Sequence, residues 1–198
     1  MRWWIRWGVL GGGVLLGVAL VAAREGPYIN WHAVVSPVDA RPLVIRQDAK
    51  GKGYFGAPRS GHRFHRGIDL VAALKSPVRA IRSGWVVRVA THRGLGRYVE
   101  LEHEPHLHSL YAHLDTVTVK EGERVPQGAI IGSVGKTGNA RHPWITPHLH
   151  LEVVRDGTPI DPQGLGLHVT RLAAISREGS AEDPEDESTE SIDASGGE

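Results

Sequence analysis

Between Gly53 and Asp161 the apolar positions come in short runs broken by glycines and polar turns. The runs are "PVRAIRSGWVVRVA" (77–90), "RYVELEH" (97–103), "LHSLYAHL" (107–114), "AIIGSVG" (129–135) and "HLHLEVV" (148–154). Each is four to eight apolar-rich residues or a short chain of such stretches, rich in Val and Ile, with Gly between them. That pattern predicts strands joined by tight turns, and so an antiparallel sheet or barrel. The last run alternates most cleanly. On a strand, His148, His150 and Glu152 face one way and Leu149, Leu151 and Val153 the other. Pro147 at its start removes no ladder bond the strand needs. Helix-period segments are scarce, and only "VTRLAAISRE" (169–178) is expected to form a short helix.

The two ends break this pattern in opposite ways. Arg2 and Arg6 precede an apolar run from Trp7 to Ala23, which is just long enough to span a bilayer. Basic residues ahead of the run predict a cytoplasmic N-terminus and an exported body, and Trp3, Trp4 and Trp7 suit the membrane interface. The small residues at 21–23 leave a cleaved signal segment as the rival reading. Residues 24–47 read as a linker with an early extended segment, and 48–168 as the folded domain. The stretch 179–198 is acidic, rich in Ser and nearly free of apolar side chains, so it is expected to be disordered.

Charge sharpens the contrast. The whole chain has a formal charge of +1, yet nine acids and one base fall between Arg177 and Glu198. The remainder carries 22 bases and 13 acids, about +9. A basic body favours anionic surroundings such as a membrane surface or a wall polymer. No basic stripe interleaved with aromatics is present, so no nucleic-acid partner is expected. There are twelve His and no Cys, which excludes disulfides, Cys-type zinc sites and thiol nucleophiles. A metal would have to sit on His and carboxylate.

His-Leu-His occurs twice, at 106–108 and 148–150. "FHRGIDL" places His65 and Asp69 four apart, on one face whether strand or helix, and Gly67 between them favours strand or turn. Two His and one carboxylate, with a fourth position left for water, is the ligand count of a catalytic zinc. "LYAHLD" puts Tyr111 and His113 on a common face of a straight strand, and His106 and His108 on the opposite one. The first His-Leu-His then points away from the cleft, with His106 in an exposed turn. Tyr111 and Glu152 are candidates for supporting the ligands. His62, His142, His32, His92 and His168 read as loop residues, and His103 as a buried, hydrogen-bonded strand histidine.

These stretches resemble the lysostaphin-type, LytM-like zinc metallopeptidases that cut peptidoglycan stem peptides or cross-bridges. The likeness runs from about Tyr54 to Pro162, through "YFGAPRSGHRFHRGIDL", "LYAHL", "VKEGERVPQGAIIGSVGKTG", "PHLHLEV" and "GTPIDP" in that order. It implies one zinc per chain on His65, Asp69 and His150, and catalytic roles for His113 and His148. It also implies an all-β fold, an antiparallel barrel-like β-sandwich of the duplicated hybrid motif type, with a groove across one sheet. Two departures stand out. "NARHPWIT" (139–146) is longer than the family's usual link, and His106 replaces a common Gly. Two other readings compete: a non-catalytic relative that activates other wall hydrolases, and a membrane-anchored lipoyl-like export adaptor suggested by 119–135.

Overall fold

The computed structural model describes residues 28–104 and 106–171. The apolar run 7–23 and the acidic tail lie outside them. Among the described residues no helix is long and apolar enough to cross a membrane. The strands are β1 (Val44–Ile45), β2 (Gln47–Asp48), β3 (Gly51–Lys52), β4 (Pro58–Arg59), β5 (Arg63–Phe64), β6 (Gly67–Val71), β7 (Pro77–Arg79), β8 (Gly84–His92), β9 (Gly96–Glu104), β10 (Leu107–Val117), β11 (Arg124–Val125), β12 (Ile130–Val134), β13 (His148–Arg155), β14 (Thr158–Ile160) and β15 (Thr170–Arg171). Only 3-10 turns, at Gly138–Arg141 and Pro162–Leu165, interrupt this all-β chain among the helices described.

The main sheet runs β11-β8-β9-β10-β13-β6-β1-β15, and every pairing in it is antiparallel except β1 with β15. β10 belongs to two layers. Leu107 to Ala112 pair with β13, and after a register shift Leu114 to Val117 pair with β12, which in turn holds β7. The bend folds the sheet over its own core. Ile68, Leu70, Val99, Leu101, Tyr111, Leu149, Leu151 and Val153 fill that core with no exposed surface. Each aliphatic side chain so buried contributes roughly 1.5–3 kcal/mol relative to exposure, so the apolar face of β13 fixes which way its histidines point.

Gly67 sits where β6 comes closest to β13. A Cβ there would stand 2.2 Å from the Leu151 carbonyl oxygen, so no larger residue fits the approach. Thr170 and Arg171, expected to begin a helix, instead pair beside Val44 and Ile45 as β15. The rest of that expected helix lies outside the described residues. The run 77–90 forms two strands separated at Ala80–Ser83.

Candidate metal centre

His150 on β13 and Asp69 on β6 are direct cross-strand partners. Side chains opposed in this way point to the same face and meet. His150 Nδ1 lies 2.9 Å from Asp69 Oδ1. His65, in the link between β5 and β6, brings Nε2 to 3.2 Å from Asp69 Oδ1 and 3.1 Å from His150 Nδ1. All three residues are buried. Three donors held ~2.0–2.2 Å from one tetrahedral ion stand about 3.3–3.6 Å from one another. The observed edges are only slightly tighter, and the donor set of two imidazoles and a carboxylate suits zinc with an open position. The residues therefore fit the metal that the sequence led us to expect.

The neighbours fix which nitrogen each ring presents. His65 Nδ1 donates to the Tyr54 carbonyl at 3.0 Å, which frees Nε2 for the centre. His148 Nδ1 donates to the Thr146 carbonyl at 2.7 Å, and His113 Nδ1 to the Thr137 carbonyl at 3.0 Å. Both rings thus present an unprotonated Nε2 to the cleft. Their centroids are 5.0 Å apart, and His148 Nε2 lies 3.9 Å from Asp69 Oδ1.

Burial disfavours the Asp69 carboxylate, yet hydrogen bonds from His150 and His65 outweigh it and hold the group well below the usual range. Burial also opposes charge on His150, but Asp69 and then Glu152 raise its pKa to about 9. Burial, reinforced by the charges of His148 and His150, pushes His113 down to about 3, and burial lowers His148 as well. The two histidines beside the ligands are thus neutral proton acceptors.

A cavity of about 370 Å³ covers this cluster; Lys50, Arg59, His92, Asn139 and Ile145 help to line it. Glu152 stands near His150 but does not hold its ring. One oxygen stands 3.8 Å from His150 Nε2, too far for a direct hydrogen bond, and the other pairs with Arg66 at 2.9 Å. Tyr111 does not belong to the site. It is buried in the core, where its hydroxyl accepts from Ile81 N at 2.9 Å and from Ser109 at 2.9 Å. His113 nevertheless reaches the groove because its φ is +65°, a left-handed conformation that flips one side chain across the sheet. Strict alternation would have sent it into the core with Tyr111. His108 alternates with the core residues Ser109 and Tyr111 and so shares the Ala112 and His150 face, opposite Val154 and beside a second cavity, rather than facing away. His106 is an exposed turn residue with φ +73°, as expected. His62, His32, His92 and His168 are exposed, although His92 also lines the cavity. His142 stacks on Trp144 in the long 139–146 link. His103 is largely buried and bonded to Ser83 and Ser109.

The sequence profile described as Peptidase family M23 matches residues 63–162, just over half of the chain. The chain belongs to peptidase family M23. The chain is 35% identical over 132 residues to the DD-carboxypeptidase/endopeptidase Mpg of Neisseria meningitidis, a match covering 66% of this chain and 30% of that protein. The chain thus spans less than a third of that relative's length. Among solved structures, a zinc containing peptidase from Vibrio cholerae superposes with a TM-score of 0.54 at 29% identity, covering 67% of this chain and 39% of that one. The catalytic domain of the antimicrobial peptidase lysostaphin from Staphylococcus simulans gives 0.51 at 33% identity, covering 60% and 92%. The M23 match includes His65, Asp69, His113, His148 and His150, but it begins after Arg46 and Arg59, which line the same cavity, and after Asp48, which pairs with Arg46.

Proposed function

We propose that this protein is a zinc-dependent endopeptidase that hydrolyses amide bonds in peptidoglycan stem peptides or cross-bridges. The observation that carries the reading is the buried His65–Asp69–His150 triangle with two neutral histidines beside it. Bound at those three residues, one zinc per chain supplies the Lewis acidity that polarises an amide carbonyl and eases deprotonation of water. His148 accepts the proton of the attacking water at Nε2, and the Thr146 carbonyl steadies the imidazolium that results. That proton then passes to the leaving amine. His113 serves the oxyanion only when protonated, because its Nδ1 proton is committed to Thr137. As a neutral ring it is a second acceptor close to the first.

The peptidoglycan substrate is supported by a further relative, the peptidoglycan DD-endopeptidase ShyB of Vibrio cholerae, 33% identical over 107 residues, 54% of this chain and 24% of that protein. The apolar run 7–23 supports a body held on the outer face of the cytoplasmic membrane, near an anionic wall that suits its positive charge. Complete assembly of the ligand triangle favours an enzyme over a non-catalytic regulator. The segment 119–135, whose turn-strand pattern suggests an export adaptor, lies within the M23 match and builds β11 and β12. The test is incubation of the protein with cross-linked muropeptides, followed by mass spectrometry. A mass gain of one water per cleaved cross-link, abolished by chelator and restored by zinc, is expected. Zinc uptake without cleavage of any cross-link type would overturn the enzyme reading.

A further inference from the structure

Arg46 and Asp48 lie ahead of the M23 match, at the start of the folded body, and neither touches the groove's central histidines directly. Arg46 is 6% exposed. Its Nη2 and Nε both donate to Asp69 Oδ2, at 2.9 and 3.3 Å. Its Nη1 donates to Asp48 Oδ1 at 2.6 Å. The other Asp48 oxygen accepts from Thr146 N at 3.1 Å, and the carbonyl of that same Thr146 receives the His148 Nδ1 proton. The chain of contacts is continuous from a candidate metal ligand to the candidate base.

The local backbone is built to hold this arrangement. Arg46 N donates to the Asp69 carbonyl, Gly53 N to the Arg46 carbonyl and Asp69 N to the Gly53 carbonyl, at 2.8, 2.7 and 2.8 Å. A Cβ on Gly53 would lie 2.7 Å from Asp69 Cβ and 2.9 Å from the Arg46 oxygen, so the three segments close only around glycine. A guanidinium buried with two carboxylates is costly to assemble, and the next guanidinium, Arg59 Nη2, stands farther off at 3.8 Å from the same Asp69 Oδ2.

We propose that Arg46 and Asp48 are positioning residues that couple the two halves of the site. Arg46 occupies Asp69 Oδ2 and leaves Oδ1 alone to face His65 and His150. Asp48 anchors the end of the long 139–146 link through Thr146, and so sets the tautomer and place of the His148 ring. The long link is thereby tied to the segment that precedes the family match. The proposal rests on the metallopeptidase reading, but two of its readouts do not need turnover.

The experiment compares full-length protein with its Asp48→Asn, Asp48→Ala, Arg46→Met and Arg46→Lys variants. Zinc affinity is read by chelator competition, the His148 tautomer by nitrogen NMR of labelled histidine, and kcat and KM on muropeptides. Arg46→Met is expected to weaken zinc binding by about 10–100-fold, with partial recovery in Arg46→Lys. Asp48→Asn should keep zinc affinity within about threefold, lose the single Nδ1-protonated signal of His148, and lower kcat about tenfold with KM little changed. Asp48→Ala should repeat that pattern more strongly. A purely structural role would lower the melting temperature of zinc-replete Asp48→Asn while leaving kcat and the His148 signal as in wild type, and that result overturns the proposal. If wild-type protein shows no turnover at all, the enzyme reading fails on its own. An altered His148 signal in Asp48→Asn would still support the coupling, and an unaltered one would still refute it.

Discussion

The second His-Leu-His opens β13 and the first straddles the turn into the neighbouring β10, and His108 and His150 both face the groove side. Their fates differ because of what stands across from them. His150 faces Asp69 on β6, inside a buried triangle of donors. His108 faces Val154 on one side and Glu102 on the other, and its nearest carboxylate is Glu100 at 3.6 Å. A tripeptide supplies imidazoles two apart on a strand; the opposing strand decides whether they become ligands. Around the first tripeptide, histidines serve the fold instead. His103 bridges Ser83 and Ser109 from within the sheet.

Removing a donor of the second region should have the largest effect. Asp69→Ala or His150→Ala is expected to abolish zinc retention and to lower cleavage by more than about a thousandfold, measured by metal analysis and muropeptide assay. Next comes His113→Gly. Glycine accepts φ +65° without the ~1–2 kcal/mol that a side chain costs there, so thermal stability should hold or rise. Zinc should stay bound while kcat falls by about a hundredfold or more. Loss of zinc in that variant would place His113 among the ligands.

Metal uptake should depend on pH in a definite direction. With His150 raised to about 9 in the metal-free protein, zinc must displace a proton below that pH. Zinc affinity should therefore rise with pH up to about 9, by roughly tenfold per unit, in a competition titration.

The first region should show its histidine in stability instead. Burial lowers His103 to about 4 from 6.5. The unfolded chain then takes the proton first as pH falls, so the contribution is complete above about 6.5 and is lost between 6.5 and about 4. About 3 kcal/mol is at stake. Denaturant unfolding of zinc-loaded protein at pH 7.5 and pH 5 should show a smaller difference in His103→Gln than in wild type. The smallest effect is expected for His108→Ala, which should change zinc affinity and turnover by less than about threefold.

Much of this was legible in the sequence. Alternation in "HLHLEVV" gave the strand, its buried face and its histidine face, and the 65/69 spacing added two more donors. Two things were not legible. Alternation has no way to announce a left-handed residue within a strand, so it sorted Tyr111 with His113 and turned His108 away from the groove. The positive φ of His113 breaks the alternation there, so His113 reaches the groove as expected while the faces of Tyr111 and His108 are the reverse of those expected. Arg46 and Asp48 were also missed, because they carry no motif, and it is tertiary pairing, of Ile45 with Leu70 and of Arg46 N with the Asp69 carbonyl, that brings that segment to Asp69. A buried Arg between two acids is a tertiary event that spacing along the chain cannot show.

The central claim is that the second tripeptide, and not the first, belongs to a zinc site that cleaves peptide bonds. Zinc content and muropeptide cleavage should be measured together in wild type, His150→Ala and His108→Ala. The account predicts one zinc per chain and cleavage in wild type and His108→Ala, and neither in His150→Ala. Zinc and cleavage that survive in His150→Ala, or that vanish in His108→Ala, would contradict it.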